Sequence, residues 1–119
     1  MNTLAHGRAA LETVLGEIRF KRERQQSVHG WTIERDDHHT EGELAQAAIS
    51  YIQAACAEEL GLDAEELGVF WPWTEPFEPK GDRRELLLNA AALLVAELER
   101  LDRPSTTKEN DDGRNASRE

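Results

Sequence analysis

Three stretches of this chain repeat their apolar residues about every 3.6 positions, and each is bounded by residues that start or stop helices. That periodicity constrains the fold class more than any other feature. The first stretch runs from about Thr3 or Arg8 to Ser27, with Leu11, Val14, Leu15 and Ile18 at helical spacing and Arg22 and Gln25 prolonging the same stripe. The second begins at Thr40, where the Thr-x-x-Glu pattern with Glu43 is a capping box. It continues to about Leu60 and stops at Gly61, a C′ residue. Its stripe is Leu44, Ala48, Tyr51, Ile52 and Ala55, flanked by Ala45, Ala47 and Cys56; so many alanines on one face imply a close approach of helices. Asp63 and Glu66 suggest a further capping box and a short helical turn over 64–67. The third stretch starts after Asp82, capped in the same manner with Glu85, runs to about Asp102 and is ended by Pro104. Its apolar face is broad: Leu86, Leu87, Ala90, Ala91, Leu93, Leu94, Val95, Leu98 and Leu101.

No segment alternates convincingly with a period of two. Between the second and third stretches, Pro72, Pro76 and Pro79 fall within eight residues and exclude a regular helix or a central strand from Val69 to Gly81. The expectation is therefore an all-α fold, a small bundle of three main helices with an aromatic, proline-rich loop before the last. Trp31 to His39, after Gly30, reads as a polar, acidic connection. Residues 104–119 contain no large apolar side chain and cannot offset their ordering entropy, so the expectation is one helical domain over 1–103 and a disordered polar tail.

The chain has 119 residues, 39% hydrophobic, with 14 Lys+Arg against 24 Asp+Glu and a net charge of −10. The apolar fraction suffices for a modest single core. Excess negative charge disfavours a free-standing binder of DNA or RNA. No apolar run approaches the roughly 18–20 residues that span a bilayer, and the N-terminus lacks a signal peptide's apolar segment, so no membrane partner is expected. Cys56 is the sole cysteine and cannot build an internal disulfide. A reducing cytoplasm is the expected compartment, with Cys56 as a small apolar filler.

Charge on the wrong face of a helix points to a site. Glu97 lies in the angular sector of Leu86, Ala90 and Leu93, where a carboxylate must be paired, bind a metal or carry a raised pKa. One reading makes Arg22 and Glu97 a structural ion pair. Another joins Glu97 and Glu41 to the Asp36-Asp37-His38-His39 run as a polar, ligand-binding site. Its carboxylates favour Mg2+ or Mn2+ over zinc, although a helix dipole also draws acids to the residues before a helix. Trp71, Trp73, Phe70 and Phe77 concentrate four of the seven aromatic residues in one loop, as a lid over the core or as a stacking platform for a base or a partner's side chain. Arg19, Lys21, Arg22 and Arg24, with Lys80, Arg83 and Arg84, supply local positive charge for phosphate or an acidic partner. There is no Gly-rich phosphate loop, no Cys-x-x-Cys, no nucleophile elbow and no Ser-His-Asp arrangement, so no catalytic residue is assigned.

Glu23-Arg24-Gln25, Gly30-Trp31, Glu34, Asp36-Asp37-His38-His39-Thr40-Glu41-Gly42-Glu43-Leu44-Ala45 with Ala47-Ala48 and Tyr51 form one half of a recurrent pattern. Phe70-Trp71-Pro72-Trp73, Arg83-Arg84-Glu85-Leu86 and Ala91 to Asp102 form the other. Over residues 17–103 this pattern resembles a family of small phage- and prophage-encoded α-helical proteins with no assigned activity. The resemblance implies a phage-related origin and location in the host cytoplasm. A weaker likeness is to the all-α nucleoside-triphosphate pyrophosphohydrolases of the MazG-like group, which hold magnesium against a triphosphate with a Glu-Glu-x-x-Glu helix and a Glu-x-x-Asp helix. Glu41-Gly42-Glu43-Leu44-Ala45 is similar to the end of the first motif, and Glu99-Arg100-Leu101-Asp102 has the spacing of the second. The first motif's leading acids fall on His39 and Thr40, and Glu43 and Glu99 point away from the apolar stripes.

The resulting expectation is a small helical protein that binds a nucleotide or similar phosphorylated ligand. Asp36, Asp37, His38, Glu41 and Glu97 would hold a divalent ion, Arg22 and Arg24 the phosphates, and Trp71 or Trp73 the base. Any turnover would be that of a metal-dependent nucleotide pyrophosphohydrolase. The rival expectation is a non-enzymatic accessory protein that blocks or sequesters a host component, docking its acidic surface on a basic partner. The broad apolar third helix also leads us to expect a homodimer or a higher assembly.

Overall fold

Alanine sets how closely the two central helices approach. The computed structural model describes residues 3–27 and 32–104, with side chains from Gly7 onward. They form α1 (Thr3–Ser27), α2 (Ile33–Asp37), α3 (Glu43–Ala55), α4 (Ala57–Leu60) and α5 (Arg83–Asp102). No strand occurs among the described residues, and the protein is a small all-α fold. The core joins Leu44, Ala47 and Ala48 of α3 to Ala90, Leu93 and Ala96 of α5, all buried. Methyl groups on both sides bring the backbones together without ordering any long side chain, while Leu44 and Leu93 each bury an apolar side chain for about 1.5–3 kcal/mol. The two helices are antiparallel. Arg83, at the start of α5, pairs with Glu59 just beyond α3, whereas Arg100, near its end, lies in the field of Glu43 at the start of α3.

The second face of α5 carries α1. Arg84 pairs with Glu17, Lys21 with Glu85 and Arg22 with Glu99, while the Gln25 side chain reaches the Asn89 backbone. As the stripe predicts, Arg22 and Gln25 are buried, but Leu11, Val14 and Leu15 on the same stripe are exposed. The first half of α1 therefore runs past the body of the protein. Because α1 and α3 both lie on α5 and scarcely on each other, a furrow opens between them.

Several local expectations are corrected. The 31–39 connection contains α2, which Thr32 caps by accepting a hydrogen bond from the Arg35 N–H at 3.2 Å. The second long helix starts at Glu43 instead of Thr40: Gly42 takes the N-cap position with φ 84°, and Glu43 accepts from the Glu41 N–H at 2.7 Å. The back-reaching glutamate is real, but it holds the N–H one residue beyond Thr40, and the N-cap moves two residues on, to Gly42. This helix breaks at Cys56 (φ −116°) before α4 ends at Gly61 (φ 69°). Asp63 and Glu66 bond reciprocally, at 2.9 and 3.1 Å, yet turns rather than a helix follow. Of the stripe expected on α3, Ile52 is exposed, and Ala47 is buried instead. On α5, Leu87, Leu94, Leu98 and Leu101 face outwards, while Ala92 and Ala96 are buried. Asp82 caps α5 as expected, accepting from the Glu85 N–H at 2.9 Å. The break at Gly30 and the tail beyond Pro104 lie outside the described residues.

The proline-rich segment folds back over α3. Trp71 donates from Nε1 to the Glu75 carbonyl at 2.9 Å and meets Tyr51 edge-on at 6.0 Å; Phe77 meets Tyr51 at 5.2 Å. Trp71 and Trp73 stand perpendicular, 5.0 Å apart, and both pack on the α3–α5 core. Among the described residues, no helix is long and apolar enough to cross a membrane.

Candidate ligand-binding furrow

Of the four acids singled out in the sequence, Asp36, Asp37 and Glu97 are held in ion pairs around one end of the bundle. Asp36 turns inwards from α2 and is 1% exposed, with its Oδ2 2.7 Å from the Arg22 guanidinium. Burial pushes its carboxyl above the ordinary aspartate range despite Arg22. Asp37 faces outwards and accepts from Arg103 at 2.8 Å, and His38 is an exposed cap residue of α2. Glu41 is exposed, with its backbone N–H held by Glu43. Glu97 is partly buried, as its helical sector requires, and both its oxygens accept from Arg100, at 2.9 and 3.0 Å. The proposed Arg22–Glu97 pair is thus replaced by two others, Arg22 with Asp36 and Glu99, and Glu97 with Arg100. A neighbour three residues along the helix meets Glu97 at little entropic cost, before any cross-helix partner can. Among the described residues, no three or more His, Cys, Asp or Glu side chains come together closely enough to hold a metal ion.

His39 leaves this ring of pairs and lies against Trp73, ring centroids 5.2 Å apart; its Nε2 is buried without a hydrogen-bond partner. Burial lowers its pKa below the ordinary imidazole value, so the neutral form is favoured. Arg35 covers the other aromatic contact of Trp73, with its guanidinium carbon 5.1 Å from the ring. Trp73 therefore belongs to the ionic end of the bundle.

A concavity lies elsewhere, in the furrow between α1 and α3. A cleft of about 440 Å3 is lined by Lys21, Arg24 and Gln25 of α1, Tyr51 of α3, Glu85 and Asn89 of α5, and Glu78, Lys80 and Gly81 of the loop. It is continuous with a hollow of about 290 Å3 that shares Gln25, Tyr51, Glu78 and Asn89 and adds Trp71, Glu75 and Pro76. Each element contributes for a local reason. The capped N-terminus of α5 sets Glu85 and Asn89 on the floor, the exit of α1 brings Arg24 to one rim, and the prolines hold the loop open along the other. The cleft carries three cations, Lys21, Arg24 and Lys80, against Glu78 and Glu85, in a chain whose net charge is −10. Lys21 and Glu85 stand 3.1 Å apart, so Arg24 and Lys80 contribute the excess.

Gln25 is the anomaly. It is 2% exposed, its amide NH2 lies 3.5 Å from the Asn89 carbonyl, and its Oε1 accepts nothing. A buried acceptor left unbonded costs about 1–3 kcal/mol. Tyr51, beside it, is held in its neutral form, because burial raises the phenol's pKa. Of the residues assigned from sequence to phosphate and base, Arg24 and Trp71 line the furrow; Arg22 and Trp73 do not. Lys80, read in the sequence as positive charge for phosphate, lines it too, whereas Gln25, Tyr51 and Asn89 carry no ligand-binding assignment. The one available signal was a glutamine where the apolar stripe of α1 calls for a leucine. No family model matches the chain, and no curated protein or solved structure matches it.

Proposed function

We propose that this protein binds a small phosphorylated ligand carrying a planar ring, of which a nucleotide is the type, in the furrow between α1 and α3. One observation carries the reading. An acidic chain gathers an excess of positive charge beside an aromatic wall, over a buried amide that lacks a donor. Arg24 and Lys80 suit a phosphate through charge-assisted hydrogen bonds. Tyr51 and Trp71 offer ring faces or edges to a base, with stacking worth about 1–3 kcal/mol. The Gln25 Oε1 and the Asn89 region suit a ligand N–H. Magnesium is commonly bound by one or two carboxylates together with substrate phosphates. An ion arriving with the ligand would therefore meet Glu78, in preference to Asp36, Asp37 and Glu97, which are engaged by arginines, and to Glu85, which is paired with Lys21.

Calorimetric titration with nucleoside mono- and triphosphates, with and without Mg2+, tests the proposal. Arg24→Ala and Lys80→Ala are each expected to weaken binding about tenfold, as loss of a charge-assisted hydrogen bond of roughly 1.5–3 kcal/mol implies. Glu97→Gln, remote from the furrow, should leave affinity unchanged. Absence of heat at millimolar ligand, or equal binding by the Arg24 and Lys80 variants, would remove the furrow as the site.

A further inference from the structure

The furrow occupies one side of α5, and the opposite side is apolar and open. Leu87, Ala91, Leu94, Leu98 and Leu101 follow one another at intervals of four, three, four and three residues. This is the spacing of a helix seam that receives another helix. The four leucines of this seam are exposed, Leu98 by 60%. At its N-terminal end the seam broadens into a groove of about 270 Å3, lined by Val14, Ile18, Leu87, Leu88 and Ala91 and by Arg84, whose charge Glu17 pairs. Beyond that groove α1 continues alone. Every residue from Gly7 to Gly16 is exposed, including Leu11 and Leu15, which stand on the stripe that Arg22 and Gln25 bury further along. A helical segment of this length with no surface to lie on is marginal in water.

We infer that a second copy of this chain covers this face, in a two-fold dimer in which the projecting half of each α1 lies along the α5 seam of its partner. Each chain has one helix lacking a seat and one seat lacking a helix, the self-complementarity that a two-fold axis requires. The exposed parts of these side chains amount to on the order of 600 Å2 per chain, at the upper end of the patches on soluble monomers and approaching the roughly 800 Å2 per partner of a stable interface. Charge selects the occupant. Gly7 to Gly16 holds one Arg and one Glu, Arg8 and Glu12, and the seam residues are uncharged, although the chain carries −10 overall. Two copies of so acidic a molecule can meet only across a neutral face, whereas a basic partner would favour the acidic surfaces elsewhere.

Sedimentation velocity of the full chain at about 100 µM is expected to give twice the 13.4 kDa chain mass. The paired substitutions Leu94→Glu/Leu98→Glu and Leu11→Glu/Leu15→Glu should each yield monomers. The seam variant should also make the first half of α1 more sensitive to protease, although α1 itself is unaltered. A wild-type monomer overturns the inference, as does a dimer that survives either pair of substitutions. Leu11 and Leu15 lie on the projecting segment, so that variant tests the interface even where the α5 variant misfolds.

Discussion

Replacing Arg22 by Met isolates the buried ion pair that ties α1 to α2. In the wild type the guanidinium lies 2.7 Å from Asp36, with side-chain exposures of 6% and 1%, and 3.1 Å from Glu99, which is half-exposed. The exposed contact contributes at most about 1 kcal/mol. The buried one dominates: removing one partner of such a pair costs about 3–5 kcal/mol, a large share of the 5–15 kcal/mol available to a small domain. The cost depends on pH, and its sign follows from the carboxyl. Burial already raises the Asp36 pKa, and Arg22 is the chief force opposing the rise. Without Arg22 the folded-state value climbs further, so the variant's fold takes up a proton that the unfolded chain does not. Below about pH 4 both states hold the proton, and only lost packing separates variant from wild type. As pH rises through the elevated folded-state value, the variant loses about 1.4 kcal/mol per unit, up to the full penalty near neutrality. Urea unfolding followed by tryptophan fluorescence at about pH 4, 5.5 and 7 measures this directly. The double variant Arg22→Met/Asp36→Leu should recover most of the stability at pH 7. A penalty below about 1 kcal/mol at pH 7, or one equal at all three values, would refute the reasoning.

Two further outcomes are expected. Gly81 has φ 102°, and a Cβ there would stand 2.8 Å from Cβ of Glu85. Gly81→Ala should therefore destabilise by about 1–3 kcal/mol, and a thermal midpoint lowered by roughly 5 °C or more checks it. His39 is buried in its neutral form, with its pKa depressed. Its contribution to stability is complete above the ordinary imidazole value, about 6.5, and is lost as pH falls from there through the lower folded-state value. His39→Phe should flatten that decline in urea unfolding, and a direct NMR titration of His39 at or above the ordinary value would contradict it.

The helix ends legible in the sequence are those with a chemical stop. Asp82 and Pro104 bound α5, Gly61 closes α4, and the prolines keep 71–80 out of any helix. Thr40 misled because the glutamate of its capping pattern serves Glu41, once Gly42 has adopted a left-handed conformation. The angular position of a residue on a helix can also be read in advance, which is why Arg22, Gln25 and Glu97 were recognised as facing inwards. The identity of the neighbour at that angle cannot, since it depends on which helix lies there. Hence the sequence offers Glu97 either to Arg22 or to a metal ion although Arg100 is nearer, and it puts Leu94 and Leu98 on the apolar face although neither α1 nor α3 covers them. The furrow was invisible for the same reason. It is the gap left by two helices that share a third; Arg24, Lys80 and Trp71 signal parts of its lining in the sequence, and Gln25, too polar for its stripe, marks its floor.

The contact between α3 and α5 has a consequence for how such a chain can diversify. A side chain consisting of one methyl group can hardly be trimmed, and at this backbone spacing it cannot be enlarged without driving the helices apart. Ala47, Ala48, Ala90 and Ala96 are therefore close to frozen in composition. Sequence drift is diverted to positions that the chassis merely carries, such as Arg24, Glu78 and Lys80 on the furrow's rim, so ligand preference can change while the frame stays the same.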